Sequence, residues 1–375
     1  MKILYVTTIS LTMNSFFKPH VEMLVGQGHQ VDIACNHRDL PLDPLFSRLG
    51  CGVYQVDFSR SPLSADNLRA YGQLKQVVRK GGYHIVHCHT PNASVITRLV
   101  CRKFRKKTGL QVFYTAHGFH FYKGASLKNW LIFYPVEKFC SRLTDRLITI
   151  NREDCALAKE KFHCPQVHYV PGVGIDLSRF DRVPVDRRAK RQELRVPEDA
   201  CLILSVGELN ENKNHRCVLQ AVAEMENQHV HYAIAGLGDR RDALLAQAEA
   251  LGLSDRFHLL GYRTDVGELY RCADIFCFPS LREGLSVSVM EAMASGLPCV
   301  VSRIRGNVDL IDGNPRFLFD PRDPAQCTAS LEAMDGTARE EAQAYNRQKA
   351  ACYAIDNVLA RMREIYNACT VEHKG

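Results

Sequence analysis

The stretch Ser280–Pro298, SLREGLSVSVMEAMASGLP, carries two carboxylates, Glu283 and Glu291, with seven residues between them in a run that is otherwise small and apolar. Gly296 and Pro298 end it, so SVSVMEAMASG reads as a helix and the preceding ADIFCFPS as a buried strand. Glu283 then lies in the connecting loop and Glu291 within the first two helical turns. The backbone amides of Gly284, Leu285, Ser286 and Val287 have no helical acceptors, and such a helix start favours an anion like phosphate. A carboxylate has two oxygens to accept hydrogen bonds, a match for vicinal hydroxyls of a sugar or ribose. The group therefore has the chemistry to hold one nucleotide-sugar, with an acid on each ring and the amides at the diphosphate. A plainer reading stands beside it: Glu291 complements the helix dipole, and Glu283 is a solvated loop acid.

Such a loop needs a strand before it and a helix after it. Apolar, β-branched runs recur along the whole chain: KILYVTT, QVDIACN, GVYQVDF, HIVHCH, VFYTAH, RLITIN and VHYVPG in the first half. CLILSVGEL, VHYAIAGLG, FHLLGYR, ADIFCFPS, LPCVVS and RFLFD follow in the second. Helical stretches such as SFFKPHVEMLVGQG and RDALLAQAEALG lie between them. Strand and helix in repetition imply an α/β chain with parallel sheets covered on both faces. Right-handed crossovers gather strand ends and helix starts on one edge of each sheet. At 375 residues the chain exceeds the usual size of one core. The charged segment DLSRFDRVPVDRRAKRQELRVPEDA, with Pro184 and Pro197, marks the break. Two doubly wound domains facing each other across a cleft are expected, with the ligand in that cleft.

Composition is that of an ordinary globular protein, 46% hydrophobic and 24% charged. No run approaches the roughly 20 apolar residues of a membrane span. Met1 opens directly on a strand-like run, so no cleaved signal is expected. The 15 cysteines are scattered, without a Cys-x-x-Cys pair, and read as reduced thiols of a cytoplasmic protein. Residues 1–185 hold 25 Lys/Arg and 13 Asp/Glu, a balance of +12; the remainder holds 48 − 25 = 23 against 41 − 13 = 28, a balance of −5. No acid occurs between Asp66 and Glu137, and RLVCRKFRKKTG gathers Arg98, Arg102, Lys103, Arg105, Lys106 and Lys107. This is a solvated basic face or a surface for an anionic membrane, which Leu99, Val100 and Phe104 would suit. Nucleic acid is disfavoured, since aromatics do not alternate with the bases. A nicotinamide site is poorly supported, because GLGDRR lacks the third glycine of the dinucleotide motif. A Walker phosphate loop and an Asp-x-Asp pair are both missing.

With these residues in view, SLREGLSVSVMEAMASGLPCVVS resembles the signature of family 4 retaining glycosyltransferases of the GT-B fold: Glu, seven residues, Glu, then Ala-Met-Ala-x-Gly-x-Pro. The resemblance runs over nearly the whole chain through VHCHTPNAS, YTAHGFHFYKG, PGVGIDLSRF, SVGELNENKNH, GYRTDVGELYRCADIFCFPS and RGNVDLI. Its likeness is to the branch that builds bacterial capsule and exopolysaccharide. It implies that Glu283 holds donor-sugar hydroxyls, Glu291 the ribose, and Lys213 the diphosphate, with the amides of Gly284, Leu285, Ser286 and Val287 completing the donor site. His117 matches the histidine placed beside the transferred sugar, and Tyr262 and Arg263 fall where the base is held. The final helix usually returns to the first domain, so the expected domains are 1–183 plus 354–375, binding acceptor, and 184–353, binding the nucleotide-sugar.

Two departures carry consequences. Glu208 stands where many members have an arginine on the diphosphate, and an acid there repels phosphate unless turned away or paired. Arg282 or Arg263 would then have to supplement Lys213, since stabilising leaving-group charge is usually the largest catalytic term. The first loop, TISLTMNSFFKPH, also lacks the usual glycine pair. His84, His87 and His89 alternate along one strand; His89 and His120 are the weaker candidates near the acceptor. The implied reaction moves a sugar, probed first as UDP-hexose or UDP-N-acetylhexosamine, to a glycan or prenyl-diphosphate-linked saccharide without metal or cofactor. The departing phosphate helps to deprotonate the acceptor, and domain closure brings His117 to the donor. An epimerase or hydrolase of the same fold, or a non-catalytic nucleotide- or glycan-binding subunit, are the rival readings. The expected place is the cytoplasm, peripheral on the inner face of the plasma membrane.

Overall fold

The computed structural model describes residues 1–181 and 183–372. It divides into two compact units: Met1–Gly174 with the stretch from Ile355 onward, and Ile175–Ala354.

In the first unit, β1 (Lys2–Ile9), β2 (Gln30–Asn36), β3 (Val53–Gln55), β4 (Ile85–His89), β5 (Gln111–Ala116), β6 (Arg146–Thr149) and β7 (Gln166–Tyr169) form one sheet. Its order is β3-β2-β1-β4-β5-β6-β7, with every pair parallel. All five residues of β4 are buried, His87 and His89 along with Ile85, Val86 and Cys88. Helix α1 (Pro91–Thr108) starts on a proline and stops at Gly109, whose φ of 70° few other residues adopt. Helix α2 (Leu127–Ser141) is capped by Ser126, whose hydroxyl accepts the Asn129 N–H. The helix Ile355–Glu372 returns to this unit, packing Val358, Met362, Ile365 and Tyr366 into one cluster with Ile3, Tyr5 and Ile33. The loop without glycines after β1 is helical from its first residue, a short turn Ser10–Thr12 running into a π-turn Met13–Phe17.

The basic run of α1 is not one solvated face. Arg98 is buried and donates from Nη1 to Glu137 Oε2 at 2.8 Å, and Arg105 donates from Nε to Asp145 Oδ2 at 2.9 Å. Arg102, Lys103, Lys106 and Lys107 are exposed. Helical period is the cause, since it turns residue 98 toward the sheet while the next turns face water.

In the second unit, β8 (Cys201–Val206), β9 (Val230–Ala235), β10 (Phe257–Gly261), β11 (Ile275–Phe278), β12 (Cys299–Ser302) and β13 (Leu318–Phe319) lie in the order β10-β9-β8-β11-β12-β13, again parallel. Helices α3 (His215–Glu224) and α4 (Val287–Ala294) follow β8 and β11. Each sheet reverses its direction of winding once, between β1 and β4 and between β8 and β11. Loops leaving the carboxyl ends of those strands are where open α/β sheets bind ligands.

The division falls at Gly174/Ile175, ahead of the expected 183/184. Ile175 pairs with Ala354 in a parallel bridge and donates its N–H to the Tyr353 carbonyl at 3.0 Å. The charged segment read as a linker is folded onto the second unit by the helix Arg187–Glu193. There the buried Arg191 donates from Nε to the Cys272 carbonyl at 3.2 Å and from Nη1 to the Ala200 carbonyl at 2.8 Å, and pairs with Asp274. A buried arginine satisfied by carbonyls leaves no apolar signature, so the segment looked detached. The chain returns to the first unit at Ala354/Ile355.

Candidate functional site

In the second unit the site grows from the two loops at the switch point. After β8, Asn214 takes the left-handed backbone conformation (φ 53°), and its buried side chain donates to the carbonyls of Pro279 at 3.1 Å and Pro321 at 2.7 Å. Asn212 reinforces the joint: its carbonyl accepts the Leu281 N–H at 2.8 Å and its Nδ2 donates to the Arg282 carbonyl at 2.9 Å. The β8 and β11 loops are thus one stitched body. On it Lys213 Nζ donates to Glu283 Oε1 at 2.7 Å and sits 4.8 Å from the centre of the Phe278 ring. Both side chains are about four-fifths covered, at 20% and 17% exposure. The pair sets a cation and an acid on one rim.

Gly284, Leu285 and Ser286 lead from Glu283 into α4. Ser286 caps the helix, its hydroxyl accepting the Val289 N–H at 3.4 Å, and Val287 is the first helical residue. Gly306, at φ 79°, lies against this loop; a Cβ there would overlap the Gly284 carbonyl oxygen. The neighbouring Arg305 is buried and donates from Nε to the Glu283 carbonyl at 3.0 Å. Glu291, on the second turn of α4, accepts from the Tyr270 hydroxyl at 3.1 Å. Burial lifts its carboxyl above the ordinary range, against the pull of Tyr270 and Arg179.

Glu208 is exposed, and its Oε2 accepts from Asn210 Nδ2 at 2.9 Å. Asn210 Oδ1 in turn accepts the Lys213 N–H at 3.0 Å. The acid is therefore paired within its own loop, to an amide that orders the turn carrying Lys213. Arg263 is engaged elsewhere, donating from Nε to Asp265 Oδ1 at 2.7 Å and from Nη2 to Glu193 Oε1 at 2.6 Å. Tyr262 projects into solvent at 76% exposure after Gly261.

In the first unit His117 follows β5, and its Nε2 lies 3.4 Å from His89 Nδ1 at the end of β4. Burial lowers the His117 pKa to about 4 and pushes His89 well below its ordinary value. His87 is a core residue, bonded to the Tyr366 hydroxyl and, through Nε2, to Thr115 Oγ1 at 2.8 Å. Phe17 packs on His89 with ring centres 4.2 Å apart. His84 accepts the Lys2 N–H at 2.9 Å. His120 is not brought to the pair; it stacks on Phe133 at 4.6 Å, in the wall of an apolar cavity. Among the described residues no group of three or more His, Cys, Asp or Glu is placed to hold a metal ion.

Asn212, Asn214, Tyr270 and Arg305 were not singled out in the sequence as parts of this site. Lys213 and its flanking asparagines stand in NENKNH, and Arg305 precedes the glycine of RGNVDLI, so both motifs contained the signal. Tyr270 carried none, because only the packing of its helix against α4 brings it to Glu291.

Residues 13–172 match the family described as glycosyl transferase 4-like domain, and residues 186–349 that of glycosyl transferases group 1. The chain is 35% identical over 378 residues to the glycosyltransferase-named EpsD of Bacillus subtilis (strain 168), covering 98% of this chain and 96% of that one. It is 29% identical over 297 residues to the UDP-Gal:alpha-D-GlcNAc-diphosphoundecaprenol alpha-1,3-galactosyltransferase of Escherichia coli, covering 77% and 76%. The Anabaena HepE structure in complex with UDP superposes with a TM-score of 0.78 at 17% identity, covering 98% of this chain and all of that one, a likeness of fold.

Proposed function

The chain belongs to the family 4 glycosyltransferases of the GT-B fold, and from that premise we propose a retaining transfer of sugar in surface polysaccharide synthesis. The donor is a UDP-hexose or UDP-N-acetylhexosamine, and the acceptor a glycan or a prenyl-diphosphate-linked saccharide. The observation that carries this reading is the Lys213–Glu283 pair, 2.7 Å long, at the loop leading into α4. Lys213 would take the diphosphate and Glu283 the hydroxyls of the donor sugar. Glu291 would hold the ribose, and the amides of Gly284–Val287 line the approach to the phosphates. The Escherichia coli relative, named for a UDP-Gal donor and a diphosphoundecaprenol-linked acceptor, supports the donor and acceptor classes.

Retention follows in this reading from a front-face reaction: the bond from the anomeric carbon to the diphosphate oxygen breaks, the acceptor oxygen bonds on the same face, and the acceptor proton passes to the departing phosphate. Charge on the leaving group is met by Lys213 and helix amides, so no metal is assigned to the step. UDP-hexoses and UDP-N-acetylhexosamines are to be screened against short prenyl-diphosphate-linked saccharides, with EDTA in parallel. One donor is expected to give a product whose anomeric NMR signals keep the donor's configuration, at a rate unchanged by EDTA. An inverted product removes the retaining mechanism. Epimer or free sugar formed rapidly from donor alone favours the epimerase or hydrolase.

The proposed place of work is an anionic membrane surface, reached through the exposed Arg102, Lys103, Lys106 and Lys107 of α1. Among the described residues no helix is long and apolar enough to cross a membrane. Flotation with anionic liposomes is expected at low salt and is lost at high salt, as screening requires. Equal flotation with neutral liposomes overturns the electrostatic attachment.

A further inference from the structure

The first unit holds an apolar cavity of about 480 Å³ with no part in the donor site. Its walls are Val95 and Ile96 of α1, Phe119 and Phe121 of the loop after β5, and Ile132 and Val136 of α2. Ile132 and Val136 are also 48% and 43% exposed, so the cavity opens to solvent along α2. That helix presents further uncovered apolar residues, Leu127 at 80% and Leu131 at 76%. Soluble chains seldom leave such a contiguous surface without a partner. Gly118, next to His117, lies in the same wall, so the cavity begins where the first unit's candidate catalytic residue ends.

Charge narrows the occupant. No acid occurs in the sequence between Asp66 and Glu137, while Lys123, Lys128 and Lys138 lie on this loop and helix. The single acid of the wall, Glu137, is neutralised by the buried Arg98 at 2.8 Å. A dry wall of branched and aromatic side chains within a cationic segment suits a branched hydrocarbon bearing an anionic head.

We propose that this cavity binds the prenyl chain of a prenyl-diphosphate-linked acceptor, with the diphosphate and the sugar it carries at the His117 end. The proposal rests on the transferase reading above for the identity of the acceptor. It separates the two halves of that substrate: chemistry is set at the switch-point loops, and affinity by chain length in the cavity.

Trp130 is the one tryptophan of the sequence and packs on Phe121 at 5.5 Å, which makes its fluorescence a reporter for the cavity wall. Full-length protein is titrated with farnesyl diphosphate, inorganic diphosphate and phosphatidylglycerol vesicles in the absence of donor. Farnesyl diphosphate is expected to change the emission saturably, and inorganic diphosphate to leave it unaltered. Ile132→Asp and Val136→Asp, at half-exposed positions that spare the core, are each expected to weaken binding about tenfold or more, since an acid in the wall meets the hydrocarbon unpaired. Thermal melting at the wild-type temperature certifies that both variants fold. The proposal is overturned by an unchanged titration in both variants, or by a response to vesicles but none to farnesyl diphosphate. Since no donor is present, failure here leaves the transferase reading standing. Conversely, saturable binding with no sugar transfer from any donor overturns only the transferase.

Discussion

Lys213→Ala is expected to lower sugar transfer by about 10²–10³-fold, the loss seen when one charge-stabilising donor is removed from a transition state. The lysine's ammonium is held at 2.7 Å from Glu283 and over the Phe278 ring, with its stem against Gly207, so in the proposed reaction the cation is positioned before charge grows on the leaving group. Arg263 is already paired with Asp265 and Glu193, so the expected loss assumes that it does not replace the lysine. Glu283→Ala is expected to fail similarly, through the loss of hydroxyl recognition and of the acid that holds Lys213. Either single change also leaves a partly covered charge without its partner, a cost of about 1–3 kcal/mol in stability. The double variant Lys213→Met, Glu283→Gln separates the two effects: thermal stability returns toward wild type while transfer stays absent. Turnover near wild type in either single variant would take that residue out of the site.

His117→Ala is the second large effect: transfer is expected to fall by about 10²-fold or more, while UDP affinity, measured by calorimetry, stays within error. The residues proposed to hold the donor all lie in the second unit, and His117 in the first. In the proposed reaction the imidazole is expected to act as a neutral hydrogen-bonding group. Its folded pKa is lowered from 6.5 to about 4 by burial, so it remains uncharged as pH falls through 6.5 and takes a proton only near 4. The rate should therefore show no acid limb from this residue between pH 5 and 8. The same shift means that the unfolded chain binds the extra proton first, so His117 withdraws stability as pH falls from about 6.5 toward 4 and none above that window. An acid limb centred near 6.5, or a loss of UDP binding in His117→Ala, would contradict this assignment.

The Glu208 anomaly shows how far residue type alone can mislead. In sequence it is an acid beside phosphates. In the structure it accepts from Asn210, which accepts from the Lys213 backbone, so it helps order the turn that carries Lys213. The six clustered bases of α1 mislead in the same way, because Arg98 and Arg105 are drawn into ion pairs with Glu137 and Asp145.

What the sequence by itself determined was everything set by local periodicity and local chemistry: the β-branched runs that became the thirteen strands of the described residues, the helix start after Glu283, and the order of loops carrying His117, Lys213 and Glu283. What only tertiary structure decided were the partnerships. Lys213 and Glu283 lie 70 residues apart and meet because β8 and β11 are neighbours at the point where the sheet reverses. Tyr270 reaches Glu291, Arg191 fastens the charged segment at the break to the Cys272 carbonyl, and the units divide at Gly174/Ile175. A hydrogen bond between distant side chains depends on strand order and register, which no short stretch of residues encodes.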